Sequence, residues 1–368
     1  MISYYVIMIE SDFLPKDYSD LPSNGNVTWE SPSNIALIKY WGKYGEQLPA
    51  NSSLSFTLSN CKTKTVLKYQ LKKEASKSFD FEIFLDDKPA PDFKPKVELF
   101  FKRVEPYLPF LKAFNFEIAT TNTFPHSSGI ASSASGMSAL ACCLIDLEKK
   151  ISNEENSDEY WIQKSSFIAR LGSGSACRSL EGNIVVWGDH SKIENSSNLF
   201  GVKYEGEVHE NFKNYQDTIL LVDKGEKQVS SSVGHNLMHQ HPFATKRFEQ
   251  ANENITRLVP VLKSGNLSKF IEIVESEALT LHAMMMTSLH YFILIKPNTL
   301  EIINKIWEYR RKLNSNVCFT LDAGANLHLL YPENEKDLIL EFIKNELVAY
   351  CQNGQYICDQ VGIGAKKM

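Results

Sequence analysis

Four short stretches carry side chains whose types and spacing could do chemistry. The first, F-P-H-S-S-G-I-A-S-S-A-S-G from Phe124 to Gly136, strings small residues between a strand-like and a helix-like run. Such a stretch leaves backbone N–H groups and the positive end of a helix bare. With the hydroxyls of Ser132 and Ser133 as further donors, it suits a phosphate. Small residues that merely let a helix pack closely on a sheet would look the same. The second, G-S-G-S-A-C-R from Gly172 to Arg178, places the hydroxyls of Ser173 and Ser175 close to a guanidinium. A planar fork of donors matches a carboxylate or a phosphate. A glycine-rich turn with Arg178 ion-paired at the surface is the plain alternative.

The third stretch, N-I-A-L-I-K-Y-W-G-K from Asn34 to Lys43, puts Lys39 by strand alternation among apolar neighbours. An ammonium there is costly without an anion, although an edge strand whose lysines reach water also fits. The fourth, T-L-D-A-G-A-N from Thr320 to Asn326, supplies a carboxylate: Asp322 follows a strand-like run and precedes Ala323-Gly324. Taken alone, an aspartate in a turn is more often a backbone cap than a catalyst. The patterns G-x-x-x-x-G-K-[ST] and G-x-G-x-x-G are both absent, which disfavours the two common nucleotide-binding folds.

Elements must bring these stretches together. Strand-like runs occur at 35–40, 54–58, 65–71, 79–85 and 114–120, with a helix expected over 94–104. After the small-residue loop, Met137, Leu140, Ala141, Leu144 and Ile145 recur at helical spacing. A helix through 160–169 and a strand at 184–187 follow. The polar stretch around 195–210 suggests a boundary, giving domains of residues 1–205 and 206–368. The second half reads as strands at 218–222, 317–321 and 328–331, long helices, a helix over 336–350 and a short terminal strand. The fold class is therefore α+β in both halves. The first thirty residues look like an irregular arm, and Gly362 to Met368 like a solvated tail. His239-Gln240-His241 reads as a polar loop rather than a metal site, and Met284 to Met286 as core filler.

At 368 residues two domains are expected. A formal net charge of -5 and the lack of a basic stripe argue against nucleic acid as a partner. No apolar run is long enough to span a bilayer, so no membrane partner is expected. The amino terminus lacks the positive start of a signal peptide. Seven cysteines with no C-x-x-C favour reduced thiols and a cytoplasmic location.

Together with N-S-S-L-S at Asn51 to Ser55 and V-S-S at Val229 to Ser231, the four stretches occur in the order found in diphosphomevalonate decarboxylases. The chain strongly resembles that family, part of the small-molecule kinases named for galactokinase, homoserine kinase, mevalonate kinase and phosphomevalonate kinase. The resemblance runs from about Val27 to Tyr331, and K-Y-W-G-K and G-S-G-S-A-C-R-S-L are its most specific pieces. It implies an amino-terminal domain like ribosomal protein S5, a ferredoxin-like carboxy-terminal domain, and an active site between them. It also implies ATP-dependent decarboxylation of mevalonate 5-diphosphate to isopentenyl diphosphate with magnesium, in isoprenoid biosynthesis, by a homodimer.

Carried onto matching positions, Asp322 would orient the C3 hydroxyl and accept its proton. Lys39 would neutralise charge beside it, and Arg178, oriented by Asn34, would grip the substrate carboxylate. Ser128, Gly129, Ser132 and Ser133 would meet the ATP phosphates, while Tyr40, Lys43, Ser173, Ser175 and Ser230 or Ser231 would hold the substrate diphosphate. Magnesium ligands cannot be assigned from the sequence. Tyr44-Gly45 replaces the family's usual Arg-Asp, His126-Ser127-Ser128 its Thr-Ala-Ala, His235 a common Met, and Leu289-His290 a proline pair. Three rivals remain at this level: a decarboxylase of the monophosphate, a mevalonate 3-kinase without decarboxylation, and an ATP-binding protein without turnover. The paired aspartate and lysine count against the kinase.

Overall fold

The computed structural model describes residues 8–18, 21–74, 76–125, 130–223 and 231–368, without the side chains of 231 and 232. In chain order the first half runs β1 (Asn24–Ile38), β2 (Lys43–Tyr44), β3 (Leu48–Pro49), β4 (Ser53–Leu71), β5 (Asp80–Leu85), β6 (Lys88–Pro89) and α1 (Lys94–Val104). It continues with β7 (Phe114–Asn122), α2 (Ser132–Ile151), α3 (Asp158–Gly172), β8 (Ile184–Trp187) and β9 (Gly201–Lys203). The second half is β10 (Gln216–Leu220), α4 (Ser231–Leu237), α5 (Ala244–Ser264), α6 (Leu267–Met286), α7 (Pro297–Leu313), β11 (Cys318–Leu321), β12 (Leu327–Tyr331), α8 (Lys336–Phe342), β13 (Tyr356–Gln360) and β14 (Lys366–Lys367).

Two sheets organise this α+β chain. The first has the order β14-β1-β4-β7-β5-β6, with β8 joining β4 and β9 joining β8; the second is β11-β12-β10-β13. Strand β4 is long enough to serve two partners along one edge: its residues 63–71 pair with β7 and its residues 53–56 with β8. Helix α2 packs on β1 and β4, while α5 and α6 reach across from the second sheet to β1. Strand β1 is therefore buried on both sides from Ser31 to Ile38.

The helix after the small-residue loop follows from its apolar spacing. Met137, Leu140, Leu144 and Leu147 of α2 are all buried, and each fully buried aliphatic side chain contributes about 1.5–3 kcal/mol. Lys149 and Lys150 lie in its last turn, where the helix dipole favours cations.

Several sequence expectations need correction. The first thirty residues are not an irregular arm throughout, because β1 begins at Asn24, with Val27 buried. Pro22, Ser23 and Gly25 obscured the start of this strand; Pro32 sits at the register shift between its own pairing with Lys62 and that of Asn34 with Thr57, a bulge where its missing N–H is tolerated. The two runs at 54–58 and 65–71 are one strand, β4. The expected helix over 336–350 keeps α geometry only to Phe342, then widens into a π turn at Ile343–Leu347 and a 3-10 turn at Val348–Tyr350.

Residues 362–368 are no free tail. Lys366 and Lys367 pair with Glu30 and Trp29, and the Gly362 N–H donates to the Thr57 carbonyl. Met238–Gln240 forms a 3-10 turn, and His241 is buried with Nε2 3.0 Å from the Met284 carbonyl. Met284 and Met285 are core residues, but Met286 is exposed.

Candidate active site

Lys39 follows the end of β1, and Asp322 follows the end of β11 in the other sheet. Their side chains meet: Lys39 Nζ donates to Asp322 Oδ1 at 2.9 Å. The lysine is 1 % exposed. Burial lowers its pKa from the usual 10.5, while the Asp322 carboxylate opposes that shift. The inward lysine thus has an anionic partner rather than a path to water.

Arg178 lies in a 3-10 turn, Gly174–Ser179, directly after α3. Its guanidinium is buried and donates from Nη1 to Ser53 Oγ at 2.6 Å and from Nε to Asn34 Oδ1 at 3.4 Å. Asn34 is fixed in turn, because its Nδ2 donates to Ser179 Oγ and to the Ser175 carbonyl. No carboxylate among the described residues forms an ion pair with Arg178, so the fork keeps capacity for an anion. Burial holds its pKa below the usual arginine range, and the nearby Asp322 charge works against that. Gly174 has a steric reason: a Cβ there would lie 2.9 Å from the Trp187 ring and 3.0 Å from the Tyr40 hydroxyl.

Lys39, Tyr40, Lys43, Ser132, Ser133, Ser173, Ser175, Arg178 and Asp322 all line one cavity of about 490 Å³. Asn34 stands behind Arg178. Lys43 Nζ donates to the Gln47 amide oxygen at 3.0 Å. Burial lowers its pKa, with Arg103 adding to the effect. A half-buried ammonium hydrogen-bonded to a neutral amide is a ready anion site.

Beside Ser173, whose Oγ lies 3.5 Å from Ser133 Oγ, α2 starts without a side-chain cap. Its first residue is preceded by Ala131 at φ 44°, a left-handed conformation costly for a residue with a Cβ. The bare first turn, Ser132 and Ser133, faces the cavity. Ser128, Gly129 and Ser230 lie outside the described residues, as does the Ser231 side chain; Ser231 itself opens α4.

Other lining residues escaped the sequence reading. Beyond Ser133 the cavity runs between Phe84, Leu85, Phe93, Val97, Ile118 and Leu140, with Lys96, Thr120 and Asn122 as polar members. This apolar part of the lining has no motif; only the tertiary fold assembles it. His235, noted as a departure, also lines the cavity. Its Nδ1 accepts from the Gly42 N–H at 2.9 Å, and its ring lies 4.2 Å from that of Tyr40 and 4.7 Å from that of Trp41. Burial lowers its pKa to about 3, so the ring is neutral and Nε2 carries its proton.

Glu277 of α6 was also missed. Its carboxylate accepts from the Lys39 backbone N–H at 2.8 Å and from both terminal nitrogens of Arg247. The signal was present: Glu277 falls at the apolar spacing of Val274 and Leu281, and Arg247 at that of Ala251 and Leu258. Charged residues on core stripes imply a buried partner.

Comparison with known proteins identifies two family models. Residues 31–198 match the diphosphomevalonate decarboxylase-like N-terminal domain, and residues 218–363 the mevalonate 5-diphosphate decarboxylase C-terminal domain. The chain is similar to diphosphomevalonate decarboxylase of Aspergillus fumigatus, at 29% identity over 86% of this chain and 80% of the relative. The solved complex of MDDEF with MVAPP, AMPPCP and magnesium is 27% identical, with a TM-score of 0.78 over 94% of this chain and 99% of that one. The mevalonate diphosphate decarboxylase from Legionella pneumophila is 28% identical, with a TM-score of 0.75 over 90% of this chain and 100% of the other.

Proposed function

Since the chain belongs to the diphosphomevalonate decarboxylase family, we propose that it converts mevalonate 5-diphosphate and ATP to isopentenyl diphosphate, ADP, phosphate and carbon dioxide. The observation that carries this reading is the Lys39–Asp322 pair facing the same cavity as Arg178, with the uncapped start of α2 at one end.

The roles follow from position. Asp322 orients the C3 hydroxyl and takes up its proton as the oxygen attacks the γ-phosphorus and ADP departs; positioning is its main contribution. Lys39 neutralises charge beside Asp322 and on the moving phosphoryl group. The phosphate then leaves C3, and the electrons of the bond to the carboxylate carbon form the new double bond. Arg178, with Asn34 behind it, holds the carboxylate until that bond breaks. Lys43, Tyr40, Ser173 and Ser175 hold the diphosphate, with Ser230 or Ser231 completing that end.

The first turn of α2, with Ser128, Gly129, Ser132 and Ser133, takes the ATP phosphates. The apolar end between Phe84 and Leu140 suits a flat base. Magnesium fits a site rich in hydroxyls and phosphate oxygens, and when bound it neutralises charge on those oxygens. Among the described residues no group of three or more His, Cys, Asp or Glu could hold a metal ion.

On this reading residues 1–205 form the ATP-binding half and 206–368 the half that carries Asp322. A homodimer belongs to the same reading and is tested by sedimentation. The seven free cysteines, six of them buried, support a reducing cytoplasm. Among the described residues no helix is long and apolar enough to cross a membrane.

The deciding experiment measures carbon dioxide, ADP and phosphate from purified protein with ATP and magnesium, comparing mevalonate 5-diphosphate with the 5-phosphate. Equimolar release from the diphosphate alone is expected. ADP without carbon dioxide, or turnover of the monophosphate, would refute the assignment.

A further inference from the structure

The catalytic pair joins residues from two sheets, so something must fix their separation. Helix α6 touches both. Glu277 accepts the Lys39 backbone N–H at 2.8 Å, and five residues on, His282 Nε2 lies 3.0 Å from the Asp322 backbone oxygen. A carbonyl can only accept, so Nε2 carries the proton and donates. Five residues place the two side chains about 140° apart around the helix and about 7.5 Å apart along it. One helix can thereby meet both partners.

Glu277 is itself held fast. Arg247 of α5 donates to both of its oxygens, at 2.8 and 2.6 Å, and Asn254 adds a bond at 2.7 Å. Arg247 and Glu277 side chains are both 0 % exposed. The same guanidinium donates to the Lys39 carbonyl at 3.2 Å, and Asn51 Nδ2 donates to it at 2.9 Å. Both peptide groups of Lys39 are thus tied. A buried pair of this kind is a poor way to gain stability over apolar packing, but it fixes geometry well.

Resting on the decarboxylase reading, we propose that Glu277, braced by Arg247, and His282 are positioning residues: through α6 they hold the Lys39 backbone and the Asp322 loop at the separation phosphoryl transfer needs. Neither touches the reacting atoms.

A second consequence is electrostatic. The charged and titratable groups that face Lys39 are Asp322, Glu277, Arg178, Arg247 and His282, with Asp217 further off. Of these, Asp322 and Glu277 raise the Lys39 pKa. Removing the Glu277 charge lowers it, and an Arg247 left without its partner acts in the same direction. Lys39 then loses its proton at a lower pH.

The test compares wild type with Glu277→Gln, His282→Gln and His282→Phe, using ATP, magnesium and mevalonate 5-diphosphate. Glu277→Gln is expected to lower kcat about tenfold or more while KM for both substrates stays within about threefold. Its alkaline limb of kcat should move toward acid. His282→Phe should lower kcat comparably, whereas His282→Gln, whose amide can still donate, should recover most of it. Acetylation of Lys39 as a function of pH, read by peptide mass spectrometry, reports the same titration without turnover.

An unchanged kcat in Glu277→Gln, or a wild-type alkaline limb and labelling curve, would overturn the proposal. Should Glu277→Gln fail to fold, the histidine variants decide, and equal losses for Phe and Gln would overturn it. A wild type inert with the diphosphate, yet showing the labelling shift, would reject the decarboxylase reading and keep the bracket.

Discussion

Replacing Asp322 by Asn removes the carboxylate that meets Lys39 at 2.9 Å and leaves a lysine of 1 % exposure beside Arg178. Breaking a buried pair by removing one partner costs about 3–5 kcal/mol. The Asp322 side chain is 29% exposed, so water screens part of the pair, and about 2–3 kcal/mol is the expected loss at pH 7. An upper bound comes from neutralising Lys39 instead. Starting from its ordinary 10.5, at 1.36 kcal/mol per unit this costs no more than about 5 kcal/mol at pH 7 and about 1.4 at pH 9.5.

The sign follows from linkage. The folded pKa of Lys39 is lowered, and further so in the variant, so the unfolded chain binds the extra proton between that value and 10.5. Stability therefore rises with pH across this window. Relative to wild type, Asp322→Asn should melt clearly lower at pH 7 and recover much of the gap by pH 9.5. Turnover should fall at least about a thousandfold, with ATP binding by calorimetry intact. Carbon dioxide and ADP assays with scanning fluorimetry at the two pH values check this. Turnover within tenfold of wild type, or an equal melting penalty at both pH values, would refute the reasoning.

Other outcomes follow from the same geometry. Lys43→Ala should raise KM for the diphosphate about 10- to 100-fold with little change in kcat, the loss of one charged contact of about 1.5–3 kcal/mol; steady-state kinetics decide. Arg178→Gln should depress both kcat and substrate affinity, because the fork that holds the carboxylate is lost while Asn34 and Ser53 lose a donor. Gly174→Ala should weaken substrate binding about tenfold, since its Cβ displaces Tyr40, measurable by titration calorimetry. His235 and His282, lowered by burial to about 3 and about 4, stay neutral in the fold while the unfolded chain protonates near 6.5. Stability is therefore lost as pH falls from 6.5 toward those values, and His235→Gln should flatten urea midpoints measured between pH 6.5 and 4.5.

Much of the site was legible because its chemistry is local in sequence. The pairing of Lys39 with Asp322 could be anticipated from an inward lysine that lacked an anion, and Arg178 from a fork behind a glycine turn. The apolar part of the cavity was not legible, because Phe84, Val97 and Leu140 are ordinary apolar residues until the fold brings them together. Glu277 and Arg247 left a trace as charges on core stripes, but only the packed helices show that they answer each other across Lys39. In the fold, Pro22, Ser23 and Gly25 concealed the start of β1, because only pairing with a partner strand holds residues of that kind extended. The terminal residues misled for the same reason: Lys366 and Lys367 carry charges suited to solvent, yet their backbone groups belong to a sheet edge.

That edge has a bearing on how the chain acquires its shape. Val361 bridges to Leu58, Gly364 to Glu181, and the Met368 N–H donates to the Thr28 carbonyl. The Asp359 carboxylate gathers the N–H groups of Ser59, Asn60 and Cys61. These contacts join residues between 183 and 340 positions apart, and such non-local closures are slow and entropically costly. On a ribosome, the edge of β1 that faces residues 366–367 waits uncovered until nearly the whole sequence has emerged. The sheet built on β1 and β4 can gather its core early, yet the contacts made by residues 359–368 are added to it late.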